Sequence, residues 1–262
     1  MSCLRDHLQA WSRYVKDLSE PSANTQVTKR QARLRERIAL LSQTNRSRCI
    51  LFDLDGTLYD CPKYSERMEE EITAFVSEHT STDYKSARHL LEERRRKLGT
   101  LTRSLESLGI DRAQFFSSMA TRIEPGDYIS EDPTIKPAIR KLQECGFRVG
   151  LVSNSGKPLV DKIMKALQLG PITFDAIVTS SEAPPKPSPQ PYLLALRLLN
   201  CGRESAIYVG DRDEAELRPA KELGILTILL DRTGKSSARW ADVVVSKLSE
   251  IPETAKKMLP AK

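Results

Sequence analysis

The chain has 262 residues, a hydrophobic fraction of 39%, five cysteines and a formal net charge of +6. No window approaches the roughly 18 apolar residues of a membrane helix, and the amino terminus lacks a signal-peptide run, so we expect a soluble, cytoplasmic protein without membrane contact. The cysteines are odd in number and never in CxxC spacing, which argues against a disulfide framework or zinc site and predicts reduced, mostly buried thiols.

Residues 1–48 are predicted to form a basic helical arm. Residues 1–49 hold ten Lys/Arg against four Asp/Glu, and the remainder balances at 31 of each, so the positive excess lies in this segment. "CLRDHLQAWSRYVKDL" and "VTKRQARLRERIALL" show helical apolar spacing, separated by "SEPSANTQ". A basic helix can bind nucleic acid or an acidic partner. We favour instead the packing of Leu34, Ile38 and Leu41 on the main body.

From residue 49 onward, short apolar runs alternate with helical patterns. This alternation is typical of a parallel sheet covered on both faces, so we predict an α/β fold. The predicted strands are "CILFDLD" (49–55), "FRVGLVS" (147–153), "DAIVTS" (175–180), "AIYVGD" (206–211), "ILTILLD" (225–231) and "ADVVVS" (241–246). Helical patterns cover residues 133–145, 157–169, 188–200 and 214–224.

One insertion interrupts this alternation between residues 60 and 128, which contain no convincing strand. Met68, Ile72, Phe75 and Val76 recur at helical spacing instead. We therefore predict a helical cap domain over 60–128, inserted after the first strand, with 49–59 and 129–262 forming the core domain.

Polar residues gather where four predicted strands end. Ligands of open parallel sheets bind at the carboxyl ends of the strands, so these residues are candidates for a common site. Singly, each has a structural explanation as a turn, a helix cap or a surface charge. Together they supply carboxylates for a hard cation, a hydroxyl and an ammonium for a phosphate, and a spare acid for proton transfer. The residues are Asp53 and Asp55, then Ser153 and Asn154, then Lys186, and finally Asp211, Asp213 and Glu216.

The words "FDLDGTLYD", "LVSNSG", "KPSPQPY" and "VGDRDEAEL" resemble the four motifs of the haloacid dehalogenase-like hydrolase superfamily, over about residues 49–245. The resemblance implies a Rossmann-like core with a helical cap after strand one. The cap phrase "RRKLGTLTRSLESLGID" looks most like the pyrimidine 5'-nucleotidase branch, with the phosphoglycolate phosphatase-like branch beside it. Many members carry a second aspartate shortly after the first in motif four. Here Ala215 and Glu216 stand there, so Glu216 and Asp213 compete as outer-shell acids.

The resemblance implies a phosphoric monoester hydrolase that works through an aspartyl-phosphate. Asp53 would be the nucleophile, and Asp55 would protonate the leaving alcohol and then deprotonate water. Halide leaves without a proton, so Asp55 also argues against a dehalogenase. A phosphomutase differs mainly in whether a sugar hydroxyl or water attacks, and it stays open.

The resemblance also implies a magnesium site and a phosphate site. Mg²⁺ would be held by the Asp53 carboxylate, the Asp55 backbone carbonyl and Asp211. Ser153, the Asn154 backbone and Lys186 would hold the remaining phosphoryl oxygens.

The expected substrate is a small phosphorylated metabolite, with a nucleoside 5'-monophosphate placed first and phosphoglycolate or a sugar phosphate as alternatives. Tyr59 and Arg103 are candidate substrate contacts, against core packing for Tyr59 and a solvated helix position for Arg103. A second class of function is a binding module whose basic arm docks nucleic acid or an acidic partner. The oligomeric state is left open.

Overall fold

The computed structural model describes residues 47–170, 173–235 and 238–260. The two predicted arm helices, with Leu34, Ile38 and Leu41, lie outside the described residues. The strands are β1 (Arg48–Phe52), β2 (Phe147–Val152), β3 (Ala176–Val178), β4 (Ala206–Gly210), β5 (Leu226–Leu230) and β6 (Val243–Val245). The helices are α1 (Pro62–Thr80), α2 (Tyr84–Leu98), α3 (Leu101–Glu106), α4 (Arg112–Arg122), α5 (Ile135–Glu144), α6 (Lys157–Ala166), α7 (Gln190–Leu198), α8 (Arg218–Glu222) and α9 (Ile251–Met258).

The six strands form one parallel sheet in the order β3-β2-β1-β4-β5-β6. Each lies within a predicted strand or begins one residue before it, and the predicted α/β fold is confirmed. β1 is central and almost wholly buried because its residues are apolar on both faces. Ile50 packs in the cluster that includes α5, α6 and α9, whereas Leu51 packs in the cluster that includes α7 and α8.

Helices α1 to α4 follow β1 and share an apolar cluster of their own, which includes Ile72, Leu91, Leu105 and Phe115. Residues 60–128 are all described, and they contain no strand, as predicted. α4 lies against α6, where a Cβ added at Gly156 would sit 2.9 Å from Cδ2 of Phe116. The division into a cap at 60–128 and a core at 49–59 and 129–262 stays a prediction.

The predicted boundary after residue 48 falls inside the first strand. Arg48 begins β1, and its guanidinium donates to the carbonyls of Leu259 and Cys145 and lies 4.4 Å from the centre of the Phe147 ring. The first strand therefore begins one residue before the apolar run, because Arg48 packs over the Phe147 ring while its charge meets carbonyls at the amino end of the strand.

The expectation of reduced thiols is wrong for one pair. Cys49 and Cys201 form a disulfide with Cα atoms 6.2 Å apart. The pairing of β1 with β4 brings the two residues together, although they are far apart in sequence. Cys61 and Cys145 are free, in agreement with the expectation. Among the described residues no helix is both long and apolar enough to span a bilayer.

Candidate active site

Most of the predicted site residues meet at the carboxyl edge of the sheet, and Asp213 and Arg103 do not. Asp53 directly follows β1, and its backbone N–H donates to the Val209 carbonyl at 2.9 Å. Ser153 directly follows β2 and donates its N–H to Val178 at 2.9 Å. Both residues therefore extend the ladder of the sheet by one bond, which gives their side chains fixed positions. Asp211 directly follows β4.

A tight turn after β1 brings Asp55 back toward this edge. The N–H groups of Thr57 and Leu58 both donate to the Leu54 carbonyl. Gly56 has a φ of +85°, and a Cβ there would lie 2.7 Å from Cγ of Asp211. Glycine is required here by both the backbone conformation and the close approach of the carboxylate.

The same turn is held from outside by Arg232, which follows β5. Its Nη1 donates to the Gly56 carbonyl at 2.5 Å, and its Nη2 donates to the Thr57 carbonyl at 2.7 Å. No motif in the sequence pointed to this arginine. The planar fork of a guanidinium suits two adjacent carbonyl oxygens.

Lys186 lies at the centre of the site and is almost completely buried. Its ammonium forms an ion pair with Asp53 and contacts Glu216 at 3.2 Å. It also donates to the Val152 carbonyl at 3.1 Å and to the Tyr208 hydroxyl at 2.8 Å. Burial opposes the charge, but the two carboxylates outweigh it and raise the pKa of Lys186, so the side chain stays cationic.

Asp53, Asp211 and Glu216 offer carboxylate oxygens that lie within 4.8 Å of one another. Oxygen donors of this kind suit a hard divalent cation such as Mg²⁺. Glu216 Oε2 is buried and has no hydrogen-bond partner among the described residues, while Oε1 is bound by Lys186 and Arg212. An unpaired buried carboxylate oxygen is costly, and a cation would relieve that cost. The donor set therefore fits the predicted metal.

Burial and mutual repulsion raise the proton affinity of two of these acids. Burial raises the pKa of Asp53 to about 8, with a further rise from the charge of Glu216 and an opposing effect of Lys186. Burial and then Glu216 raise the pKa of Asp211 to about 6. Burial acts in the same direction on Glu216, but Lys186 and Arg212 outweigh it and lower the pKa of that carboxyl. With all three carboxyls ionised, the cluster would carry more negative charge than Lys186 and Arg212 neutralise, which is why protons are held on Asp53 and Asp211.

Asp55 accepts hydrogen bonds on both carboxylate oxygens. Oδ1 accepts from the Tyr59 hydroxyl. Oδ2 accepts from Ser155 Oγ at 3.1 Å and Ser153 Oγ at 3.3 Å. Ser155 was not singled out from the sequence, although it stands in the word "LVSNSG" two residues after Ser153. Its N–H donates to Ser153 Oγ at 3.0 Å, so the two serines form one small turn.

Asn154 supports the lysine loop with its side chain. Its Nδ2 donates to the Lys186 carbonyl at 2.9 Å, and its Oδ1 accepts from the Lys186 N–H at 2.7 Å. The predicted phosphate contact concerned the Asn154 backbone, and it stays a prediction. The two bonds couple the loop after β2 to the loop that carries Lys186.

Three further candidates lie apart from the acid cluster or have another partner. The Asp213 carboxylate accepts from the N–H groups of Arg239 and Trp240 at 3.0 and 2.9 Å, so Glu216 is the acid that joins the cluster. Arg103 is exposed on α3, where its backbone N–H donates to the Thr100 hydroxyl at 3.3 Å and its carbonyl accepts from the Ser107 N–H at 3.0 Å. Tyr59 is buried and bound to Asp55.

Comparison with known proteins places this geometry in a family. A family model described as haloacid dehalogenase-like hydrolase matches residues 50–230. The glyceraldehyde 3-phosphate phosphatase of Methanopyrus kandleri is 27% identical over 206 residues, which cover 71% of this chain and 84% of the relative. The phosphoglycolate phosphatase of Aquifex aeolicus is 29% identical over 218 residues, which cover 79% of this chain and 90% of the relative.

Among solved structures, a HAD phosphatase from Thermococcus onnurineus aligns with a TM-score of 0.62 at 20% identity, covering 79% of this chain and 97% of that one. That likeness supports the fold, and the names of the two relatives agree with the predicted enzyme class, a phosphoric monoester hydrolase. The family model spans more than half of the chain and all four strand ends that meet at the site. The chain therefore belongs to the haloacid dehalogenase-like hydrolase family.

Proposed function

We propose that the protein is a Mg²⁺-dependent phosphomonoesterase that acts on a small phosphorylated metabolite through an aspartyl-phosphate intermediate. The observation that carries the proposal is the buried ion pair of Asp53 with Lys186 beside the carboxylates of Asp211 and Glu216. A carboxylate can attack a phosphoryl dianion only where positive charge offsets their repulsion. Lys186 supplies one such charge, and the acid cluster can hold another.

In the first step, an oxygen of Asp53 bonds to phosphorus while the bond from phosphorus to the leaving oxygen breaks. Asp55 gives its proton to that leaving oxygen. In the second step water attacks the phosphorus, Asp55 takes a proton from the water, and the bond to Asp53 breaks to release phosphate. Asp55 stands two residues after the nucleophile, and its hydrogen bonds to Ser153 and Ser155 direct it toward the same edge of the sheet.

Binding of the phosphoryl group falls to residues from three strand ends. The Ser153 hydroxyl, the Asn154 backbone and the Lys186 ammonium would contact its free oxygens. Mg²⁺, held by the Asp53 and Asp211 carboxylates and the Asp55 carbonyl with Glu216 behind them, would neutralise charge on the phosphate when bound. Of the two candidate outer-shell acids, Glu216 is preferred to Asp213, because its carboxylate lies in the cluster and that of Asp213 does not.

The proposed substrate class is a small phosphate of the size of phosphoglycolate or a triose phosphate. The support is that the two relatives are named for substrates of that kind. The nucleoside 5'-monophosphate preferred from the cap phrase stays a prediction, as does the phosphomutase alternative. Haloacid hydrolysis needs no proton donor beside the nucleophile, and Asp55 with its three hydrogen bonds makes phosphate the better substrate.

The test is phosphate release from a panel that contains phosphoglycolate, glyceraldehyde 3-phosphate, sugar phosphates and nucleoside 5'-monophosphates, with Mg²⁺ and with EDTA. Asp53→Asn serves as the blank because it removes the nucleophile and changes few atoms. We expect Mg²⁺-dependent release, highest for the small phosphates. A preference for pyrimidine monophosphates would keep the chemistry and restore the nucleotidase prediction. No release above the blank would overturn the proposal and favour the binding-module alternative.

A further inference from the structure

Tyr59 places a hydroxyl on the carboxylate that performs proton transfer in the proposed reaction. It lies four residues after Asp55, and the two residues form an isolated parallel bridge across the turn that follows β1. The Tyr59 hydroxyl donates to Asp55 Oδ1. The only donors that the structure gives Oδ2, within the described residues, are Ser153 and Ser155. The phenol and the serines thus approach opposite oxygens.

The ring of Tyr59 has little freedom to move. Its exposed fraction is 8%, and it belongs to the apolar cluster on one face of the sheet. The ring of Tyr64 packs edge-on against it with centroids 6.0 Å apart. A tyrosine has few rotatable bonds, and the packing of the ring in this cluster holds the hydroxyl where it donates to Asp55.

We propose that Tyr59 is a positioning residue that orients Asp55 for proton transfer, an inference that rests on the proposed phosphatase function. The phenol keeps its own proton and donates a hydrogen bond to Oδ1. The proton that Asp55 transfers is therefore confined to Oδ2. Oδ2 is the oxygen on the side of Ser153, where the phosphoryl group is proposed to bind. The serine hydroxyls can rotate to accept from a protonated Oδ2 or to donate to an ionised one. Tyr59 therefore decides which oxygen of Asp55 exchanges protons.

The test compares Tyr59→Phe with Tyr64→Phe. Both variants remove one buried phenol oxygen from neighbouring rings, but the Tyr64 hydroxyl has no hydrogen-bond partner among the described residues. The readout is kcat/KM with Mg²⁺ on phenyl phosphate, whose leaving group needs a proton, and on p-nitrophenyl phosphate, whose leaving group needs it much less. We expect Tyr59→Phe to lose about tenfold on phenyl phosphate, a part of the full value of a general acid, and less on the nitrophenyl ester. Tyr64→Phe should match the wild type on both.

A double-mutant cycle separates positioning from a loss of packing. In the Asp55→Asn background the carboxyl that Tyr59 orients is gone, so adding Tyr59→Phe should cause no further loss on phenyl phosphate. An equal loss in both backgrounds would mean that the phenol acts through the fold, and it would overturn the inference. A thermal melt of each variant accompanies the kinetics.

A crystal structure of the wild-type protein with Mg²⁺ and orthovanadate tests the same point without a variant. The Tyr59 hydroxyl should lie within hydrogen-bond distance of one Asp55 oxygen, with the other oxygen facing the vanadate. An Asp55 carboxylate turned away from Tyr59 would overturn the inference while leaving the phosphatase intact. If the wild type showed no turnover above Asp53→Asn, the proposed function would fail, and the inference would fail with it.

Discussion

Glu216 reaches the acid cluster because the residue beside it is Gly210. A Cβ added to Gly210 would lie 2.6 Å from Glu216 Oε2 and 3.0 Å from Cε1 of Tyr208. Glutamate has one methylene more than aspartate, and the missing side chain of Gly210 provides the space for it. Lys186 and Arg212 hold its other oxygen, so the longer acid has a defined position.

Gly210→Ala should therefore destabilise the protein and weaken cation binding. Overpacking of a buried position typically costs about 1–3 kcal/mol in the free energy of unfolding. The measurement is chemical denaturation with and without Mg²⁺, beside Gly126→Ala as the control, because a Cβ there meets only Glu124 Oε1 at 3.8 Å. Equal stabilities of the two variants would contradict the close packing around Glu216.

The raised pKa values of Asp53 and Asp211 predict that Mg²⁺ stabilises the fold more at high pH. The folded-state pKa values lie above the ordinary value of 3.8, at about 8 and about 6. Between about pH 4 and about pH 8, the folded protein without metal thus binds more protons than the unfolded chain. Its free energy of unfolding therefore falls as the pH rises through this range. A cation competes with the protons on Asp53 and Asp211, so it adds more stability at high pH, where the two carboxyls are already ionised.

We expect the gain in melting temperature on adding Mg²⁺ to be larger at pH above about 8 than near pH 5.5. Taking the difference with and without Mg²⁺ at each pH cancels the titration of groups outside the cluster. Asp211→Asn should lose most of the gain. A gain that does not change with pH would show that the two carboxyls do not exchange protons for metal.

At the scale of the elements, the turn after β1 depends on a residue that follows β5. Arg232 joins the two with hydrogen bonds to the Gly56 and Thr57 carbonyls. A lysine offers a point charge instead of a fork and cannot make both bonds in the same geometry. Arg232→Lys should lower kcat about threefold to thirtyfold, since each lost bond is worth roughly 1 kcal/mol. Arg203→Lys, an exposed change before β4, is the control. An unchanged kcat for Arg232→Lys would remove the arginine from the support of the site.

The elements also show what could be predicted and why the rest could not. Apolar runs such as that of β1 identify buried parallel strands, and acids directly after them, such as Asp53 and Asp211, follow from the geometry of the sheet. The choice between Asp213 and Glu216 did not follow. The helix predicted over 214–224 begins as a π-helical turn, Asp213–Leu217, and this wider turn places Glu216 in the cluster.

Contacts between distant segments carry no local signal. Arg232, the pairing of Cys49 with Cys201 and the bracing of Lys186 by Asn154 each join loops or strands that only the complete sheet brings together. Ser155 and Tyr59 lie within the segments "LVSNSG" and "FDLDGTLYD", which resemble family motifs. Their contacts with Asp55 depend on the turn geometry, which the residue types alone do not specify.

For the whole molecule, the uneven distribution of charge predicts separable roles. Residues 1–49 carry the entire positive excess, while the remainder is balanced. Removing residues 1–45 keeps Arg48 and β1, so turnover of a small phosphate should be largely unchanged. Oligonucleotide binding by the full chain at low salt, lost at high salt and on deletion, would support a nucleic-acid role for the basic segment. A collapse of turnover on deletion would show that this segment is needed by the fold or by an oligomer.

The central place of β1 in the sheet has a consequence for the synthesis of the chain. Arg48 pairs with Phe147 and Cys49 with Ala206, so both neighbours of the strand before Asp53 are made long after it. Pairing over such distances must first overcome the entropy of closing large loops, which slows folding. The apolar strand β1 therefore has no partner strands until much of the chain has left the ribosome. We therefore expect catalytic competence to be acquired late, after β4 has completed the ladder on the second side of β1.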